Sequence, residues 1–244
     1  MDTTSITGSG SETERAAFFG REKMKPVGSK KGNSLQERVY NSLKTAIIKG
    51  EIESNTRLVE EELADRMQTS RTPVREAFQK LEKEGFLERR PKVGYAVKGL
   101  HENDAEDLFE VRAVLDCYAG FLAAQRATAE EIKALQDIVR VERESLQNMD
   151  VEAFIESDNR FHDSIYLASK DQRLYRLFSD IRDHMHRYRA FVLRFRRKPE
   201  RAVRVHEQIV EAISTGNGKK VERLMRNHSK RTKGIVKKYI RMGK

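Results

Sequence analysis

Two groups of residues in this chain combine side-chain types and spacings that can do specific chemistry. The first is Asp158, His162, His206 and His228. In SDNRFHDSIY, Asp158 and His162 are four residues apart, so a helix sets both on one face. In RVHEQIVEAI, His206 shares the side of Ile209, Val210 and Ile213. In ERLMRNHSKRT, His228 follows Leu224 and Met225 on the apolar side of a helix. One carboxylate and three imidazoles from three helices suit a divalent transition metal, zinc or nickel. A lone inward histidine is more often a satisfied core residue than a ligand. Four inward polar groups are harder to explain that way, because burying them without a shared partner is costly. Spacing across helices leaves their convergence open. His184 and His186 are two apart on a helix, point in different directions and do not read as a chelating pair.

The second group is Ser70–Arg75. Arg71 and Arg75 lie four apart, beside Thr72, and outside the apolar stripe of Val74, Ala77, Phe78 and Leu81. A helix that reads DNA needs long donors on its first turns, and an arginine can bond O6 and N7 of a guanine bidentately. Hydroxyls of Ser70 and Thr72, with the helix N-terminus, suit phosphates. The same pattern also fits a plain solvated face, and periodicity alone divides the two readings evenly.

The elements that must position these groups follow from composition and periodicity. With 38% hydrophobic residues in 244 the chain can build real cores, while 35% charged residues leave no room for a large sheet buried on both faces. No run approaches a membrane span of roughly 18 apolar residues, and the N-terminus lacks the order of a signal peptide. The single cysteine, Cys117, points to a reducing compartment, so a soluble cytoplasmic protein is expected. Net charge is +10, which favours a polyanionic partner. The charge is unevenly spread: residues 34–101 carry 13 Lys/Arg against 11 Asp/Glu, and residues 219–244 carry 11 against 1. The terminal run reads as the wet outer face of a last helix that adds nonspecific attraction to DNA.

Residues 1–33 are rich in Ser, Thr, Gly and Lys without apolar periodicity and read as a disordered arm. Residues 34–101 read as three helices followed by a two-stranded hairpin that turns at 90–94. In them Ser70 or Thr72 caps the third helix, Pro73 sits in its first turn and Gly85 ends it. Together these elements make a winged helix-turn-helix. Residues 102–244 are helical throughout, with helices expected near 103–127, 129–148, 151–169, 172–197, 200–215 and 218–240. Thr128 with Glu131 fits a capping box, and Asp150 a cap. The fold class is therefore mostly α: a winged helix-turn-helix followed by an all-α bundle.

The stretch from Ile47 to Val97, with L-x-E-x-x-L-A, S-R-T-P-V-R-E-A and its E-G-F close, resembles the winged-helix signature of the GntR superfamily of bacterial regulators. The resemblance implies that Arg71 and Arg75 read bases, that Thr72 helps anchor the recognition helix, and that Gly94 sits at a wing tip near the minor groove. Some relatives place an arginine in the second helix, where this chain has the acidic run Glu60–Glu62; Arg57, just before it, is a weaker candidate contact. The order D-x-x-F-H, H-E-x-I-V-x-A-I and a last histidine 22 residues on resembles the metal-binding FCD domain of the FadR-like branch. FEVRAVLDCYAGFLAA resembles the opening of that domain, with Asp116 where glutamate is commoner. This implies that Asp158, His162, His206 and His228 hold a metal, which is structural, helps to hold a carboxylate effector, or both.

An arginine would clamp that carboxylate. Arg112, within an apolar helix face, is the first candidate; Arg160, Arg187, Tyr188, Arg189 and Arg194 are weaker ones. The expected protein is a homodimeric repressor that binds double-stranded operator DNA under control of a small organic acid. A metal-sensing regulator is the alternative. A metal-dependent enzyme is a weaker one, since His206-Glu207 lacks the second histidine of H-E-x-x-H.

Overall fold

The computed structural model describes residues 34–91, 94–195 and 199–242, without the side chains of 194 and 195. The arm at 1–33 and the Arg194 side chain, both considered above, lie outside the described residues. The chain divides into two compact units, the first up to Gly99 and the second from Leu100.

In the first unit, α1 (Leu35–Ile48) starts at Ser34, whose hydroxyl accepts from the Glu37 N–H at 3.2 Å. Its apolar stripe buries Val39, Leu43 and Ile47, but Leu35, in the first turn, is left exposed. After it come β1 (Arg57–Leu58), α2 (Glu60–Arg66), α3 (Arg71–Lys83), β2 (Leu87–Arg90) and β3 (Gly94–Val97). Ser70 occupies the cap position of α3 in extended backbone, yet its side chain makes no capping hydrogen bond. The orphan N–H groups of that end are thereby left to outside partners. Val74, Ala77, Phe78 and Leu81 are buried, and the Phe78 ring meets Tyr95 of β3 edge-on at 5.1 Å. The wing is thus locked onto the helix that it flanks.

The sheet has three strands in the order β1-β3-β2, all antiparallel, where two were expected. The added strand is only two residues long, too short to show alternation. It is held by the Asn55 N–H on the Val97 carbonyl (2.8 Å) and the Val97 N–H on the Thr56 carbonyl (2.9 Å).

The second unit consists, among the described residues, of α4 (Glu102–Arg126), α5 (Ala129–Gln147), α6 (Val151–Ala168), α7 (Gln172–Phe195), α8 (Glu200–Ser214) and α9 (Gly218–Met242). The Thr128–Glu131 capping box is present in both directions, and Asp150 accepts from the Ala153 N–H at 2.9 Å. Phe154, Phe161, Ile165, Phe178, Ile209, Ile213, Val221 and Met225 belong to one core. A smaller cluster joins Phe109, Met185, Tyr188, Val236 and Ile240.

Helices α4 and α9 run closely side by side. A Cβ on Gly120 would fall 2.6 Å from a Val221 methyl, so that crossing needs glycine. Along the same seam Glu102 meets Arg241 and Lys237, Glu106 meets Lys237, and Glu110 meets Lys233. The basic run of α9 is therefore not wholly a wet outer face: three of its cations are neutralised by α4.

Candidate functional site

In the first unit Arg57, Arg71, Arg75 and Gly94, from the expected DNA-binding set, line one concavity of about 600 Å³. Its lining includes Arg57, Glu60, Arg71, Arg75, Arg89 and Arg90, with Gly94 at its rim. Arg71 and Arg75 project from the first two turns of α3 with side chains 58% and 54% exposed. Ser70 and Thr72 are also exposed. Gly94 has φ +87°, a left-handed conformation that glycine adopts without strain, and it opens β3 where the strand leaves the turn.

Arg89 and Arg90 add two wing cations to this surface that periodicity had not singled out. Arg89 donates to the Tyr95 hydroxyl at 2.9 Å, and Arg90 to Asn55 at 2.6 Å. Glu60 runs against this charge. It accepts from Arg75 Nε and Nη2 at 3.1 and 3.0 Å and lies 3.9 Å from Arg71 Nη2. Those bonds raise the affinity of Arg75 for its proton.

In the second unit His162 (α6), His206 (α8) and His228 (α9) converge, with ring centroids 5.5, 5.4 and 4.9 Å apart and no more than 8% exposure. One ligand atom from each lies within 4.8 Å of the others. Asp158 is buried one turn before His162. It groups instead with His206 and with Glu142 of α5, and its Oδ2 is 3.3 Å from Arg189 Nε.

Glu142 was not among the expected residues. The signal was present: Leu135, Ile138, Val139 and Glu142 form one buried stripe, so the carboxylate continues an apolar face. Its oxygens lie 2.9 and 3.1 Å from His206 Nδ1. Burial pushes Glu142 up, and a proton between it and His206 satisfies both. With that proton on Nδ1, the lone pair of His206 is on Nε2, which is buried without a hydrogen-bond partner among the described residues. Burial, with nearby Arg112 and Arg189, holds His162 and His228 well below the ordinary imidazole range and so neutral. Two neutral imidazoles and a third oriented by a carboxylate are a donor set that a divalent cation takes.

Arg112 enters the same core from α4 with 0% exposure. Its Nη2 lies 3.1 Å from His162 Nδ1, and its Nε 2.9 Å from Asp116 Oδ2. The latter is an ion-pair contact without hydrogen-bond alignment, since Nε and Nη1 both lack hydrogen-bond partners among the described residues. Asp116 also accepts from Tyr166 at 2.8 Å and from Ser229 at 3.2 Å, which fixes it. Arg189, 4% exposed, donates to Asn159, and its Nη2 has no hydrogen-bond partner among the described residues. Burial and the neighbouring Arg112 bring it down to about 10.

Of the weaker clamp candidates, Arg187 and Tyr188 are buried, and the Tyr188 hydroxyl donates to the His101 carbonyl; Arg160 is exposed. His186 faces Asp163 at 3.6 Å, outside the histidine cluster.

Residues 35–97 match the bacterial regulatory proteins of the gntR family, and residues 107–231 match the FCD domain. The chain belongs to the GntR family, with an FCD domain. It is 30% identical over 184 residues to the gluconate operon transcriptional repressor of Bacillus licheniformis, covering 73% of this chain and 75% of that one. It is 26% identical over 194 residues to the transcriptional repressor RspR of Escherichia coli, covering 80% and 85%. The E. coli protein McbR/YncC shares the fold, with a TM-score of 0.72 at 20% identity over 84% of this chain and 98% of that one.

The GntR protein is thus a transcriptional regulator of a family that binds operator DNA, and the enzyme alternative falls away. Among the described residues no helix is long and apolar enough to cross a membrane.

Proposed function

We propose that this GntR regulator is a repressor that binds operator DNA as a homodimer and is controlled by a small carboxylate held at a divalent metal in its FCD domain. On DNA, Arg71 and Arg75 of α3 bond base edges. Thr72 and Ser70 with the α3 N-terminus meet phosphates, Gly94 lets the wing approach closely, and Arg57 adds charge at the rim. A two-fold dimer places two such helices one helical turn apart on a palindromic site.

In the FCD domain His162, His206, His228 and Asp158 are the residues that would hold zinc or nickel. The ion supplies a positive pole for an anionic group. Arg112 and Arg189 supply N–H donors beside it, and Asp116 and Glu142 keep Arg112 and His206 in place.

The observation that carries this reading is three polar atoms buried in one core with no hydrogen-bond partner among the described residues: His206 Nε2, Arg112 Nη1 and Arg189 Nη2. An unpaired buried donor or acceptor costs about 1–3 kcal/mol, more for a charged group. One ion and one carboxylate satisfy all three. A bare metal ion would leave Arg112 Nη1 and Arg189 Nη2 unsatisfied by any described residue, so an organic acid is favoured as the signal. The gluconate operon repressors among the relatives carry a hydroxy acid in their names.

Two measurements test the proposal. Replacement of Arg71 and Arg75 by alanine should abolish selective binding to promoter DNA from the neighbouring genes while residual nonspecific binding stays. Retained selectivity would sink the DNA-reading assignment. A gel-shift series with mono- and dicarboxylic hydroxy acids should find one that releases the DNA, and should lose that response in Arg112→Met. A response that survives in Arg112→Met removes the clamp.

A further inference from the structure

We infer that Glu60 is a specificity-determining residue of the DNA-reading surface: it grips Arg75 by one edge of the guanidinium and so presents the other edge to a guanine. The inference deepens the assignment of Arg75 as a base-reading residue and rests on it.

A guanidinium has five N–H donors in a fixed plane. They form a side edge, Nε with the inner hydrogen of Nη2, and an end edge, Nη1 with the outer hydrogen of Nη2. Glu60 takes the side edge: Oε2 accepts from Nε at 3.1 Å and from Nη2 at 3.0 Å, and Oε1 lies 3.3 Å from Nε. The end edge is left over, and it is the pair of donors that fits O6 and N7 of guanine.

The depths of the two side chains fit the same picture. The Glu60 side chain is 20% exposed and that of Arg75 54%, and both line the concavity, so the carboxylate is the more withdrawn of the pair and the guanidinium the more open to a partner. Position in the fold explains why Glu60 can do this. It is the first residue of α2, separated from β1 by Val59 alone, and α2 packs on α3.

An exposed ion pair adds little to folding stability, because screening and side-chain entropy offset it. Its effect belongs to binding. A long flexible arginine that is already oriented loses less freedom when it meets its base. The same carboxylate, 3.9 Å from Arg71 as well, partly cancels the attraction of the concavity for phosphates, which disfavours DNA of the wrong sequence. The acidic α2 is therefore more than the lack of a basic contact; it sharpens selection.

These two effects have opposite signs, which makes them separable. Full-length wild type, Glu60→Gln, Arg75→Ala and the double variant are used to select binders from a randomised duplex library. Affinities are then measured for the wild-type consensus duplex and for a scrambled duplex at two salt concentrations. Arg75→Ala should lose preference for one guanine per half-site by about 10-fold or more. Glu60→Gln should lose preference at that same guanine by about 3- to 10-fold and leave the other positions intact, while its affinity for the scrambled duplex rises by about 2- to 5-fold. The double variant should lose no more there than Arg75→Ala alone, as expected for residues acting as a unit.

Glu60→Gln with unchanged base preference overturns the inference. So does an even loss at every position with a lowered thermal midpoint, which marks a merely structural residue, or a rise in affinity for both duplexes, which marks a simple electrostatic brake. If Arg75→Ala itself keeps the guanine preference, the base-reading assignment fails beneath it. If only Glu60→Gln keeps it, the assignment stands and the buttress alone falls.

Discussion

The chain uses the same pair of groups, a guanidinium against a carboxylate, in two opposite settings. In the first unit, Arg71 and Arg75 lean on Glu60 with more than half of each arginine side chain in solvent. In the FCD domain, Arg112 leans on Asp116 with 0% and 1% exposed. Water screens the first pair and hydrates its outward N–H donors, so a polyanion can take those donors at little cost. The second pair gave up hydration to enter the core, so each remaining N–H must find a partner or stand as a penalty. Exposure thus separates a surface whose outward donors trade water for DNA from a core made to hold one ligand firmly.

The sharpest way to break this comparison is to remove one cation from each pair. Arg112→Met strands Asp116 in the core and should destabilise the protein by about 3–5 kcal/mol, read as a lower urea midpoint. Arg112→Met with Asp116→Asn should recover part of that loss. Arg71→Ala should move the midpoint by no more than about 0.5 kcal/mol. Equal effects at the two sites would show that burial does not distinguish them.

Metal is the next lever, because it acts on one region only. Stripping the protein with a chelator should lower its thermal midpoint by several degrees, and zinc or nickel should restore it. An ion at 1,000 times its dissociation constant stabilises by about 4 kcal/mol. The same treatment of His206→Ala should change nothing, whereas Arg71→Ala/Arg75→Ala should respond like wild type. An unmoved midpoint in wild type would argue that the three imidazoles are a satisfied apolar-core cluster after all.

Glu142→Gln is subtler. It keeps the shape of the partner of His206 but removes the charge that orients Nδ1–H. Loss of such a support costs metal affinity about 10- to 100-fold. Stability without metal should hold or rise, since a carboxylate with 0% exposure is no longer buried. Unchanged metal affinity would reduce Glu142 to a core polar residue.

How much of this was legible beforehand depended on whether a residue's partner was near in sequence. Helix ends were readable because their signals are local: Thr128 with Glu131, Asp150 with Ala153, and Gly216 at φ +67° after α8. The three histidines each lay on an apolar stripe, so their inward direction was readable, although only the packing of α6, α8 and α9 brings them together. What escaped was set by pairs far apart in the chain. Glu142 meets His206 across 64 residues, and Glu60 meets Arg75 across 15. Glu142 continues the stripe of Leu135, Ile138 and Val139, but nothing local to it names His206 as its partner, and Glu60 does not differ in type or local spacing from its solvated neighbour Glu61. The strand β1 escaped for another reason: two residues have no period, and their partners, Ala96 and Tyr95, lie far along the chain.

The seam between α4 and α9 offers the smallest effect and a check on the exposed side of the comparison within the FCD domain. Glu102, held by Arg241 and Lys237, is brought down to about 2 from its ordinary 4.5, and Glu106 is lowered by Lys237 and Lys233. A carboxylate lowered in the folded state contributes its stabilisation fully above its unfolded value and loses it as pH falls through the folded one. For Glu102 that window runs from about 4.5 down to about 2. Stability should therefore decline across it in wild type and decline less in Glu102→Gln. Because these pairs face solvent, added salt should shrink the difference between the two proteins, whereas salt should leave the Arg112→Met effect nearly untouched. A salt-insensitive Glu102 effect would place that seam with the buried pairs, and solvent exposure would no longer be what divides the two kinds of guanidinium site.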